Sequence, residues 1–137
     1  MKSTNYYNAF IEVAADCPAR TAEEPAEKSE VKSVARLHYE LLAGNPYVYT
    51  SDEVVFQTFA LRRQIGPDKR QSEWNRFFSK GQPCLRSSPL TKRYGWGIHS
   101  NSEGRVAIYG VETEEYRKML SDPQLQHIRA MRSKRAK

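Results

Sequence analysis

The chain has 137 residues, 39% of them apolar, which is the length of one domain with enough apolar surface for a self-sufficient core. No run of about 18 apolar residues is present, which excludes a membrane-spanning helix, and the first ten residues lack the apolar core of a secretion signal, so a cytoplasmic protein is expected. Cys17 and Cys84 match neither a disulfide framework nor a metal-ligand spacing, so both are expected as free thiols.

The formal charge of +6 is unevenly spread. Residues 74–102 carry Arg76, Lys80, Arg86, Lys92 and Arg93 without one acid. Residues 123–137 carry Arg129, Arg132, Lys134, Arg135 and Lys137, again without an acid. The remainder of the chain holds more acids than bases. Two basic segments on a mildly acidic body point to an anionic partner.

In chain order, Asn5 to Val13 is rich in aromatic and β-branched residues and predicts a first strand. Residues 16–30 hold two prolines, many charges and few apolar groups, so an exposed loop follows. Val31, Val34, Ala35, His38, Leu41 and Leu42 recur at helical spacing and predict a first helix. Gly44 is expected to close it in the left-handed conformation, with Pro46 preventing resumption. Thr50 and Glu53 have capping-box spacing and start a second helix, whose stripe runs through Val55, Phe59 and Arg62. Gly66-Pro67 ends it and opens a third, which buries Trp74, Phe77 and Phe78 and stops at Gly81.

Beyond Gly81 the period changes. Residues 82–86 read as extended and residues 87–92, SSPLTK, as a loop. Tyr94 to His99 and Arg105 to Tyr109 predict an antiparallel hairpin around the turn at 101–104, with Tyr94, Trp96 and Ile98 on one face and Gly95, Gly97 and His99 on the other. Thr113 caps a short helix that buries Tyr116, Met119 and Leu120. Leu125, Ile128 and Met131 suit either a last strand or a helical turn, and a basic, exposed tail follows at about 129–137. The expected class is α+β: one domain over 1–137, a small antiparallel sheet including the hairpin at about 94–109, and three to four helices covering one face.

Four stretches carry a resemblance: NYYNAFIEVAADCP, ELLAGNPYVYTSDEVVF, SKGQPC followed by SPLTKRYGWGIH, and the terminal AMRSKR. Together they resemble an uncharacterised bacterial family known as a domain of unknown function, along nearly the whole chain. A second, fold-level similarity is to small YdhG-like proteins, which also join a glycine-proline turn to an antiparallel hairpin. The resemblance implies a grouping and no activity.

The chemistry concentrates in residues 80–99. Lys80, Arg86, Lys92 and Arg93 stand among glycines, prolines and the hydroxyls of Ser87 and Ser88, a mixture that suits a phosphate- or carboxylate-bearing small molecule. Tyr94, Trp96 and His99 would wall or rim such a site. Two alternatives use the same residues. Aromatics interleaved with cations can stack bases, so a nucleic-acid binder would use this loop and the tail. A thiol enzyme would need Cys84 as nucleophile with His99 as base. His38, on the apolar face of the first helix, reads as a hydrogen-bonded core residue. The three histidines are too scattered for a metal site, and no nucleotide or cofactor motif occurs, so neither metal nor cofactor is expected.

Overall fold

The computed structural model describes residues 1–27 and 31–134. Strands β1 (Ala9–Glu12), β2 (Trp96–Ser100), β3 (Val106–Gly110) and β4 (Gln126–Arg129) form one sheet in the order β3-β2-β1-β4. The helices are α1 (Val34–Ala43), α2 (Ser51–Arg62), α3 (Arg70–Phe77), α4 (Pro89–Lys92) and α5 (Glu114–Leu120). The class is α+β, and β2–β3 is the expected hairpin. The β1–β2 and β2–β3 pairs are antiparallel, whereas β1–β4 is parallel, so the sheet is mixed.

Alternation along the strands gives each face its own partners. Ile11 and Ile98 are paired in register, and with Val106 they pack against Leu42 of α1, Val54 of α2 and Leu90 of α4. Phe10 and Gly97 turn to the opposite face, where Tyr116 of α5 meets the Phe10 ring edge-on at 5.0 Å. Gly97 makes that approach possible, since a Cβ there would lie 2.6 Å from both rings. Helices therefore lie on both faces of the sheet, not on one as expected. A second cluster joins Phe56 of α2 to Trp74 and Phe77 of α3 and to buried Phe78.

Helix boundaries follow capping chemistry. Ser33 accepts from the Arg36 N–H and starts α1 three residues later than Val31. The Thr50–Glu53 capping box forms as the spacing predicts, with reciprocal bonds of 3.2 and 2.9 Å. Gly44 is right-handed at φ −92°, contrary to expectation. The left-handed residue in this connection is Tyr47, at φ 59°. Residues 87–92 are not a loop: Ser88 caps α4 by accepting from the Leu90 N–H, and Pro89 takes the first helical position. Before it, Leu85–Ser87 forms a turn of 3₁₀ helix instead of an extended segment.

The first strand is shorter than predicted because residues 3–5 serve α2. The Asp52 carboxylate is buried and accepts from Ser3 Oγ (2.7 Å), the Thr4 N–H (2.6 Å) and Thr4 Oγ1 (2.8 Å), while Asn5 Oδ1 accepts from the Asp52 N–H. The described part of the 16–30 loop is pinned rather than free. Ala19 and Pro25 are buried, and the Glu23 N–H donates to the Tyr94 carbonyl. Residues 28–30 and 135–137 lie outside the described residues. Up to Lys134 the tail is docked: the Asp16 carboxylate accepts from the Ser133 and Lys134 N–H groups, and the Met131 N–H donates to the Arg86 carbonyl. Among the described residues no helix is long and apolar enough to cross a membrane.

Candidate functional site

A cleft of about 320 Å³ opens between α1, α2 and the 82–89 segment, at the lower end of the range for small-molecule sites. Helical spacing assembles two of its walls. Val34 and His38 stand one turn apart on α1, and Val55, Phe59 and Arg62 follow one face of α2. Phe77 and Leu85 complete an apolar floor. The third wall is fixed by its own hydrogen bonds. Gln82 Nε2 donates to the Phe77 carbonyl at 2.8 Å, and Ser87 Oγ donates to the Cys84 carbonyl at 2.8 Å. Cys84 Sγ lies 3.4 Å from Tyr6 Oη. Burial and this contact push the Tyr6 phenol up to about 12, so it stays a neutral partner.

His38 is the buried polar group of the cleft, with 5% of its surface exposed. Its Nδ1 lies 2.8 Å from Ser88 Oγ. Ser88 Oγ already accepts from the Leu90 N–H, and among the described residues its own hydrogen has one acceptor, His38 Nδ1. If His38 donated instead, a buried hydroxyl hydrogen would lose its partner, at about 1–3 kcal/mol. Ser88 therefore donates, Nδ1 accepts and Nε2 carries the ring proton. Among the described residues Nε2 has no protein partner, yet no fully buried side-chain nitrogen or oxygen there is left unpaired. It is thus the edge of the ring that reaches the cleft. Burial holds the pKa of His38 at about 4, so the ring is neutral at ordinary pH.

Among the described residues the cleft is lined by positive charge: Arg62 and Arg63 border it, and no described lining residue is a carboxylate. The Arg63 guanidinium stacks over the Phe59 ring at 5.2 Å, and neither arginine forms an ion pair among the described residues. Both close the C-terminal end of α2, whose dipole contributes about half a negative charge. Two guanidinium groups exceed that, and among the described residues the rim keeps an excess of positive charge.

The residues singled out in the sequence separate. Cys84, Ser87 and Ser88 line the cleft, with Ser88 committed to His38 and to the cap of α4. Arg86 turns toward the tail, its Nε donating to the Arg129 carbonyl at 3.0 Å. Arg93 lines a separate pocket of about 470 Å³ with Asp16, Pro18, Ser133 and Lys134. Lys80 is exposed beyond α3 and Lys92 is half-buried at the end of α4. Tyr94 and Trp96 pack against the main core, and the Trp96 indole donates to the Glu23 carbonyl at 2.8 Å. His99 is on the α5 face of the sheet, where Tyr47 Oη lies 2.7 Å from its Nδ1 and 2.7 Å from Tyr109 Oη. Burial lowers the His99 pKa. Cys84 and His99 therefore have different partners on different faces of the sheet, and the histidine that shares a cleft with Cys84 is His38.

Sequence reasoning left out His38, Arg62 and Arg63 as site residues. One signal for Arg62 was present, since it continues the apolar stripe of Val55 and Phe59 at i+7. A cation extending an apolar stripe marks a boundary between a floor and a rim.

Neither a curated protein nor a solved structure matches the chain. The model of a family of unknown function, DUF6157, matches residues 1–136, and the chain belongs to that family.

Proposed function

We propose that this protein is a binding module for a small amphipathic anion, one that lays an apolar body on Val55, Phe59 and Leu85 and sets a carboxylate or phosphate against Arg62 and Arg63. The observation that carries the reading is that, among the described residues, the lining set has two arginines without an ion pair, an apolar floor and no acid. A carboxylate at such a rim gains charge-assisted hydrogen bonds while staying partly in water, which avoids most of the desolvation cost. The test is thermal unfolding in the presence of straight-chain carboxylates and alkyl phosphates. Binding raises Tm in the native chain, and Arg62→Ala with Arg63→Ala removes that rise while leaving the ligand-free Tm within a few degrees. A rise that survives the double substitution rejects this site.

A second reading, nucleic-acid binding, is supported by a different observation. The two acid-free segments meet in space: Arg86 bonds the Arg129 carbonyl, and Asp16 folds Ser133 and Lys134 back beside Arg93. Arg93, Arg132 and Lys134 form no ion pair among the described residues. This surface would hold a phosphodiester backbone without reading sequence. Fluorescence anisotropy with labelled single-stranded RNA tests it. Affinity should fall with salt, and Arg93→Ala and Arg132→Ala should each lower the log–log slope by about 0.7–0.9. No binding at low salt removes this reading.

A further inference from the structure

The cleft offers two kinds of hydrogen-bond donor at two depths. Arg62 and Arg63 are exposed cations at its border. His38 is nine-tenths buried, hydrogen-bonded through Nδ1 to Ser88 and presenting its Nε2–H to the cleft. We propose that the ligand of this cleft carries a neutral oxygen acceptor, a ketone or ester carbonyl, besides its anionic group, and that His38 Nε2–H holds this acceptor while Arg62 and Arg63 hold the charge. The inference rests on the reading of the cleft as an anion-binding site and adds the orientation of the ligand and its chemical class.

Physical chemistry decides the orientation. A carboxylate pushed down to His38 would exchange water for one neutral N–H and apolar walls such as Val55 and Leu85. One neutral donor does not offset the desolvation of a full charge. A carbonyl oxygen needs only one or two donors, and it loses far less on leaving water. A plain hydrocarbon in the same place would leave the imidazole N–H facing carbon, which penalises ligands lacking the acceptor. The Ser88 hydroxyl acts as a positioning group: by donating to Nδ1 it keeps the proton on Nε2.

Two measurements on the full chain test this. The first is long-range ¹⁵N–¹H NMR of the ligand-free protein, in which the His38 ring should be the neutral Nε2-protonated tautomer. Protonation at Nδ1 overturns the inference whether or not anything binds. The second compares a straight-chain carboxylate with its mid-chain keto analogue of equal length, by calorimetric titration. The keto acid should bind about tenfold tighter to the native chain, the effect of one net hydrogen bond. That preference should vanish in His38→Leu and persist in His38→Gln, which keeps an N–H donor. Should His38→Leu fail to fold, Ser88→Ala serves: it leaves the ring in place, frees its tautomer and should shrink the preference.

Equal affinity of the native chain for both carboxylates, with Arg62 and Arg63 still required, overturns the inference and leaves the anion site standing. A keto preference that survives loss of the His38 ring overturns it as well. If neither carboxylate binds, the anion-site reading falls and takes this inference with it.

Discussion

His38 stands one turn after Val34 on α1, and the described titratable groups of the cleft wall, Cys84 and the two arginines, offer it no anion. Its pKa is held at about 4 against an ordinary 6.5. The unfolded chain therefore takes up this proton first as pH falls. The stability contributed by the neutral ring is complete above pH 6.5, declines below it and is gone near pH 4. By pH 5 the loss amounts to roughly 2 kcal/mol, and His99, whose pKa burial also lowers, adds in the same direction. Urea unfolding at pH 7, 6 and 5 should show this decline, and His38→Gln should flatten most of it; an unchanged slope in the variant assigns the effect elsewhere. Asp52 supports a second prediction at this scale. Three donors from Ser3 and Thr4 converge on its buried carboxylate, so Asp52→Asn, which turns a donor toward donors, should cost roughly 2–3 kcal/mol by urea unfolding. A loss under 0.5 kcal/mol would mean that residues 3–5 are not anchored this way. The burial of His38 was legible from its place on the apolar face of a helix. Its access to a cleft was not, because the wall that makes the cleft comes from residues 82–89.

The β2 strand crosses beneath α5 at Gly97, where a Cβ would stand 2.6 Å from the rings of Phe10 and Tyr116. Gly97→Ala should therefore destabilise the domain by about 1–3 kcal/mol through overpacking. Adding Phe10→Leu should recover part of that loss. Strict additivity in the double-mutant cycle would show that the ring is not what the new methyl meets. Elements whose signals are local were readable: the Thr50–Glu53 capping box, the hairpin around Asn101 to Gly104, and the Trp74–Phe78 aromatic face. Where the same residue types serve two structures, reading failed. Ser88-Pro89 has the chemistry of a turn and equally that of a helix start, and the His38 contact that pins Ser88 lies 50 residues away. Gly44 was expected to take the left-handed conformation, yet that geometry falls to Tyr47, whose N–H donates to the Val106 carbonyl and whose phenol reaches His99. Tertiary bonds there outweigh the backbone preference.

Across the whole molecule, charge asymmetry was legible and its geometry was not. Composition located two acid-free segments, and folding joins Arg86 to the tail and Arg93 to the Asp16 corner, on a surface distinct from the cleft lining. The parallel β1–β4 pair is likewise a long-range choice that no local period encodes. The fold class and the family were within reach of the sequence; the cleft required α2 and the 82–89 segment to be seen together. Where an amphipathic anion binds separates the cleft from the basic surface as the working site of this molecule. A ¹H–¹⁵N NMR titration of the full chain with a medium-length straight-chain carboxylate measures this directly. Shift changes should centre on Val34, His38, Val55, Phe59 and Cys84 and saturate with one site. Changes confined to Arg93 and to residues 129–134, or none at all at millimolar carboxylate, would contradict it.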